Sequence, residues 1–285
     1  MSENKHSHVR NQSEKFLNPP PSTTLVDIGL NLANHAFKSD WQEVIARAEA
    51  AGVEKFVLTG TSLSITATSL ELATALGEGK ARFTAGVHPH HSSELAGNAT
   101  ALGDLRGLAL HPLCAAVGET GLDYARDLAP RDVQKSAFEA QIALACDIGK
   151  PLFIHEREAA EDLLRTLDKF RHHLPRCVVH CFTGTAAQAE AYLERGFYLG
   201  VTGGIGQSKR NAALLEAIKR IPANRLMLET DAPYLTPPGY RPPVRGRNEP
   251  AAMAEIARLV AEARGESVAA VRAAAHAATS EFFGF

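Results

Sequence analysis

The chain has little that would place it outside a cell or within a membrane. Its 285 residues carry only four cysteines, Cys114, Cys146, Cys177 and Cys181. They form no Cys-x-x-Cys pair and none of the dense patterns that staple small secreted domains. Reduced thiols of a cytoplasmic protein fit best, with Cys177 and Cys181 as small core fillers. No apolar window is long enough to span a bilayer. The polar segment 1–22, which ends in Pro19-Pro20-Pro21, lacks the apolar centre of a signal peptide and reads as a disordered tail, with His6 and His8 as bystanders. A formal net charge of −2 excludes the global basic signature of a tight, nonspecific nucleic-acid binder, so any phosphate contact must be local. A Gly-x-Gly-x-x-Gly turn after the first strand-like run and a Walker sequence are also missing, which speaks against dinucleotide and P-loop folds.

What is present is a regular alternation. A hydrophobic fraction of 45% and a charged fraction of 22% suit a globular core. Short β-branched runs predict strands at Leu25–Leu32, Lys55–Thr61, Phe83–His88, Ala115–Leu122, Pro151–His155, Cys177–Phe182, Phe197–Gly203 and Leu226–Asp231. Apolar residues at helical spacing fill the intervals: Ser39–Ala51, Ser64–Gly77, Ser92–Leu110, Arg131–Ile148, Glu158–Phe170, Ala186–Arg195 and Asn211–Ile221. Two further helices follow near Glu249–Arg264 and Ser267–Phe282. Gly52, Gly149 and Gly196 fall where helix C-caps belong. Eight βα units over residues 23–285 predict one α/β domain, a (β/α)8 TIM barrel; a doubly wound sheet is the alternative.

The chemistry sits at one address. Glu119, His155, His180 and Asp231 each end, or nearly end, a strand-like run, and in a parallel barrel those ends converge on one mouth. Two imidazoles and two carboxylates make a mixed N/O set suited to Zn, Mn, Fe or Mg with retained water, so the barrel reads as a metal-dependent hydrolase. Asp231 is placed to accept a proton from water, and Glu119 to bridge ions. Alternation puts Val117, Glu119, Gly121 and Asp123 on one face. It also sets Glu229 one layer beneath Asp231, where a buried carboxylate needs a cation or a histidine beside it. His88 and His90 end the third run and are candidates for orienting a substrate. Arg157 can reach a phosphate or, alternatively, pair with Glu119 or Asp231. Arg241, Arg245 and Arg247 follow the eighth run, where guanidinium forks suit phosphates.

Together the segments Asp27-Ile-Gly-Leu-Asn-Leu32, Gly86-Val-His-Pro-His90, Gly118-Glu-Thr-Gly-Leu-Asp123, Ile154-His-Glu-Arg157, His180-Cys-Phe-Thr-Gly184, Glu229-Thr-Asp-Ala-Pro-Tyr-Leu235 and Arg247-Asn-Glu-Pro250 resemble the TatD family of metal-dependent deoxyribonucleases, in order, from about Thr24 onward. The resemblance implies a metal-dependent exonuclease of single-stranded DNA, commonly 3′→5′ and in some members also of RNA, in repair or nucleic-acid turnover. It implies Glu119, His155, His180 and Asp231 as ligands and Mg as the ion, with Mn or Zn as alternatives. Many relatives carry His-x-His at the end of the first strand, where this chain has Gly29-Leu-Asn31. One ion should therefore bind tightly and any second weakly, with Asn31 left as a substrate contact. No obligatory protein partner is implied. A small-molecule amidohydrolase or lactonase on the same barrel is the competing function, and a scaffold built on a decayed barrel a third.

Overall fold

All eight strand-like runs are strands in the computed structural model, which describes residues 24–207 and 211–285. The tail at 1–22, with His6 and His8, lies outside the described residues. The strands are β1 Leu25–Leu30, β2 Val53–Leu58, β3 Ala81–Ala85, β4 Cys114–Asp123, β5 Leu152–Arg157, β6 Cys177–Val179, β7 Tyr198–Val201 and β8 Leu226–Leu228. Each pairs in parallel with the next, and a parallel bridge between Leu30 and Ala232 closes β8 onto β1. Asp27 reinforces that seam. Fully buried on β1, it accepts hydrogen bonds from the backbone N–H of Thr230 at 2.9 Å and of Gly29 at 3.2 Å. Its surroundings are apolar enough that burial pushes its carboxyl up to about 6.

Helices α1 Trp41–Ala50, α2 Leu63–Leu76, α3 Ala99–Ala109, α4 Arg131–Ile148, α5 Ala160–Asp168, α6 Ala186–Leu193, α7 Ala212–Arg220, α8 Met253–Arg264 and α9 Val268–Phe283 surround the sheet. Their starts follow local capping chemistry: the Ser62 hydroxyl accepts from the Ile65 N–H, and Thr185 and Gln188 form a reciprocal capping box. One expected helix is broken. Ser92–Leu110 divides into a 3-10 turn through Glu94 and α3, because Gly97 takes a left-handed φ of 64° and the Asn98 side chain caps the new start.

Inside the barrel, Ile28, Val57, Ala116, Phe153, Val178, Tyr198 and Met227 form an apolar cluster, sealed at the closed end by Phe282 and Phe283 of α9. Their strand neighbours Phe56, Val117, Ile154, Val179 and Leu228 face outward into the larger core beneath the helices. Val117 corrects the alternation expected for β4. A register shift between Val117 and Thr120 sends Val117 outward while Glu119 turns to the mouth. β8 also stops early, at Leu228, because Thr230 bonds to Asp27 and Asp231 adopts a left-handed φ of 51°. All four cysteines are free thiols; Cys177 is core, whereas Cys181 is half-buried and lines the cleft at the mouth. Among the described residues no helix is long and apolar enough to cross a membrane.

Candidate active site at the barrel mouth

Three imidazoles meet one carboxylate oxygen. Oε1 of Glu119 lies 2.8 Å from His180 Nε2, 2.9 Å from His155 Nδ1 and 3.3 Å from His88 Nε2. Burial alone would raise the Glu119 carboxyl, but His180, His88 and His155 outweigh it and hold the group well below the usual carboxylate range. His180 and His155 respond in the opposite sense. Burial disfavours their charge, yet the carboxylates around them raise both above the ordinary imidazole value. His88 is pushed down to about 4, chiefly by burial, and its Nδ1 accepts the backbone N–H of His90 at 3.1 Å.

The two raised imidazoles share a device. The other nitrogen of His155, Nε2, faces Asp123 Oδ2 at 3.3 Å, and Nδ1 of His180 faces Glu229 Oε2 at 3.3 Å. A buried carboxylate behind each ring fixes its tautomer and orientation, the arrangement found behind metal-bound histidines. Asp123 Oδ2 also takes His90 Nε2 at 2.8 Å, so His90, Asp123 and His155 form a continuous chain. Glu229 is fully buried, accepts the backbone N–H of Cys181, and so has the histidine partner its depth requires. Phe153 stacks beneath His180 with ring centroids 4.5 Å apart.

The first-strand departure is built into this packing. A Cβ on Gly29 of β1, or on Gly200 of β7 on the other side of β8, would collide with a Glu229 carboxylate oxygen, so a side chain at 29 would displace Glu229 from its place behind His180. Asn31 donates from Nδ2 to Asp231 Oδ1 at 2.9 Å, which orients that carboxylate. Burial, opposed by His180, pushes the Asp231 carboxyl up to about 7.

A cleft of about 370 Å³ opens above these groups. It brings together the sequence candidates Asn31, His88, His90, Glu119, His155, Arg157, His180 and Asp231. Among the described residues Arg157 forms no ion pair with Glu119 or Asp231, which leaves its guanidinium free. The other arginines behave differently. Arg241 and Arg245 are exposed and do not line the cleft. Arg247 is buried: its guanidinium binds Asp40 through two hydrogen bonds of 2.8 and 2.7 Å, donates to the Ala36 carbonyl and lies over Phe37. It ties the loop after β8 to the loop after β1 and leaves no fork for a phosphate. Asp123, Arg126 and Tyr234 also line the cleft without having been site candidates from the sequence, and Glu229 lies buried beneath it, where the sequence had set it. Alternation did place Asp123 and Glu229 on inward faces, but nothing local marks Arg126 or Tyr234.

A parallel barrel with a histidine and carboxylate cluster at its C-terminal mouth is the architecture of metal-dependent hydrolases. Residues 26–284 match the family described as TatD related DNase, and the chain belongs to it. It is 44% identical over 241 residues to the 3′-5′ ssDNA/RNA exonuclease TatD of Edwardsiella piscicida, covering 84% of this chain and 92% of that protein. Among solved structures it is similar to a TatD family hydrolase of Entamoeba histolytica (TM-score 0.83, 27% identity, covering 92% of this chain and 99% of the other). It is equally similar to the TatD homologue YJJV of Escherichia coli K12 (TM-score 0.81, 27% identity, covering 92% and 98%).

Proposed function

We propose that the chain is a divalent-metal-dependent exonuclease that removes nucleotides from the 3′ end of single-stranded DNA or RNA. The observation that carries this reading is the convergence of three imidazole nitrogens on one oxygen of Glu119. It lies at the mouth of a barrel whose 44%-identical relative is named as such an exonuclease. The donor set fits a cation. His88, Glu119 and His155 offer ligand atoms within 4.8 Å of one another, and the buried carboxylates around His155 and His180 favour positive charge there, raising both imidazoles. Glu119, His155, His180 and Asp231 would hold one tight ion, Mg, Mn or Zn by donor type. Such an ion supplies Lewis acidity toward a phosphoryl oxygen and acidifies water. A second site is weak because Gly29 cannot ligate and Asn31 turns its amide donor to Asp231.

The protein's own groups then divide the work. Asp231, aimed by Asn31, accepts the proton of the attacking water. Arg157 binds a phosphate oxygen, joined by Arg126 from the loop after β4. His90, anchored by Asp123, and His88 orient the scissile phosphate and its leaving oxygen. The guanidinium groups of Arg126 and Arg157 at the cleft favour a phosphate-bearing substrate over an amidohydrolase or lactonase function.

End-labelled single-stranded and duplex oligonucleotides, digested with Mg, Mn, Zn or EDTA, test the reading. Metal-dependent shortening from the 3′ end of single strands is expected. Undiminished activity in EDTA, or hydrolysis of small esters only, would overturn it.

A further inference from the structure

We infer that Tyr234 is a base-stacking platform, and that the strand crosses the mouth with its bases on the β8–β1 wall and its phosphates on the β4–β5 wall; this rests on the exonuclease reading above.

Tyr234 lines the cleft yet is 54% exposed, unusual for a large ring beside a buried site. It is not a loose surface side chain. Its hydroxyl accepts from Asn34 Nδ2 at 3.1 Å, and its backbone N–H donates to the Asp231 carbonyl at 3.0 Å. Asn34 is itself held, since its side-chain oxygen caps the Ala36 N–H at 3.0 Å. The ring is thus pinned at both ends three residues from the proposed proton acceptor, and little side-chain entropy remains to be lost when a base lies on it. Leu235, next in the chain, and Ile65 of α2 add apolar surface to the same cleft. Opposite in the barrel order, Arg126 in the turn after β4 and Arg157 at the end of β5 are exposed cations lining the cleft. A nucleotide has one apolar, flat end and one anionic end, and the two walls match them. Stacking is tolerant of sequence because every base offers a π face, as a general exonuclease requires.

The test is a cycle between enzyme and substrate. Wild type and Tyr234→Leu are compared on a single-stranded oligonucleotide and on versions with an abasic tetrahydrofuran unit at the last or the penultimate position. Tyr234→Leu should lose roughly 10- to 100-fold in kcat/KM on the intact strand. At one of the two abasic positions the wild type should lose a similar factor, and the variant should lose nothing further. Tyr234→Phe, which keeps the ring and drops the tether, should lose less. The dependence of affinity on salt should be unchanged in Tyr234→Leu and shallower by about one contact in Arg126→Ala or Arg157→Ala. A variant as active as wild type on the intact strand, or one that loses equally on intact and abasic strands with an unchanged thermal midpoint, would overturn the platform. If the wild type cleaves none of the oligonucleotides, it is the exonuclease reading that fails.

Discussion

The two ends of the barrel are built from the same inward faces and are chemically opposite. Phe153, Val178 and Met227 belong to the apolar plug at the closed end. Two residues further along the same chain segments stand His155, His180 and Glu229 of the mouth. A strand rises about 3.3 Å per residue, so a step of roughly 7 Å separates a dry core from a cluster of ionisable groups. The plug supplies the rigidity that holds the ligand candidates, and Phe153, stacked on His180, is the joint between them. The lesson is a division of labour along single strands. Burial at the closed end stabilises the frame, whereas burial at the mouth holds charge where it costs stability.

Three substitutions would break or sharpen that contrast. The largest effect belongs to the closed end. Phe282→Ala empties the seal beneath Tyr198, whose ring centroid lies 5.1 Å away. It should cost about 3–5 kcal/mol of unfolding free energy. Turnover per folded molecule should stay near wild type, as read by urea denaturation beside an activity assay. A large loss of turnover with little loss of stability would erase the distinction between the ends.

At the mouth the signs reverse. Asp231→Asn should lower turnover by about 10²-fold through loss of the proton acceptor. Stability should hold or rise. Burial holds the Asp231 carboxyl near 7, far above an unfolded aspartate, so in EDTA at pH 8 the folded wild type carries an unfavourable charge that the amide removes. The thermal midpoint measured there decides the matter; a marked drop would make Asp231 part of the frame.

The smallest effect lies at the seam. Asp27 binds its proton more tightly folded, with a value of about 6, than unfolded, with 3.8. Its contribution is therefore most favourable at low pH and is lost as pH rises through about 6. From pH 5 to 8 the loss should be about 1 kcal/mol. Asp27→Asn keeps an acceptor for Thr230 and should flatten this part of the profile relative to wild type. Parallel profiles for the two proteins would show that the carboxyl is not held protonated by its burial.

Much of the site was legible because strand ends are local features. Glu119, His155, His180 and Asp231 could be grouped by position alone, and the structure brings them to one cleft. Arg247 shows the limit. Its sequence neighbours place it beside the mouth, but its partner Asp40 lies 207 residues away, and that pairing buries the guanidinium. The chain of His90, Asp123 and His155 is likewise invisible locally, since it joins three separate βα units.

By itself the sequence determined the eight βα units, their parallel order and the chemical groups at their ends. Those follow from period, propensity and chain connectivity, which are written in short windows. Only the tertiary structure decided which carboxylate backs which imidazole, that a register shift in β4 turns Glu119 inward, and that Glu229 fills the space a side chain at Gly29 would need. Such pairings depend on how strands from distant parts of the chain are staggered around a closed barrel, and that stagger is a property of the whole sheet rather than of any one segment.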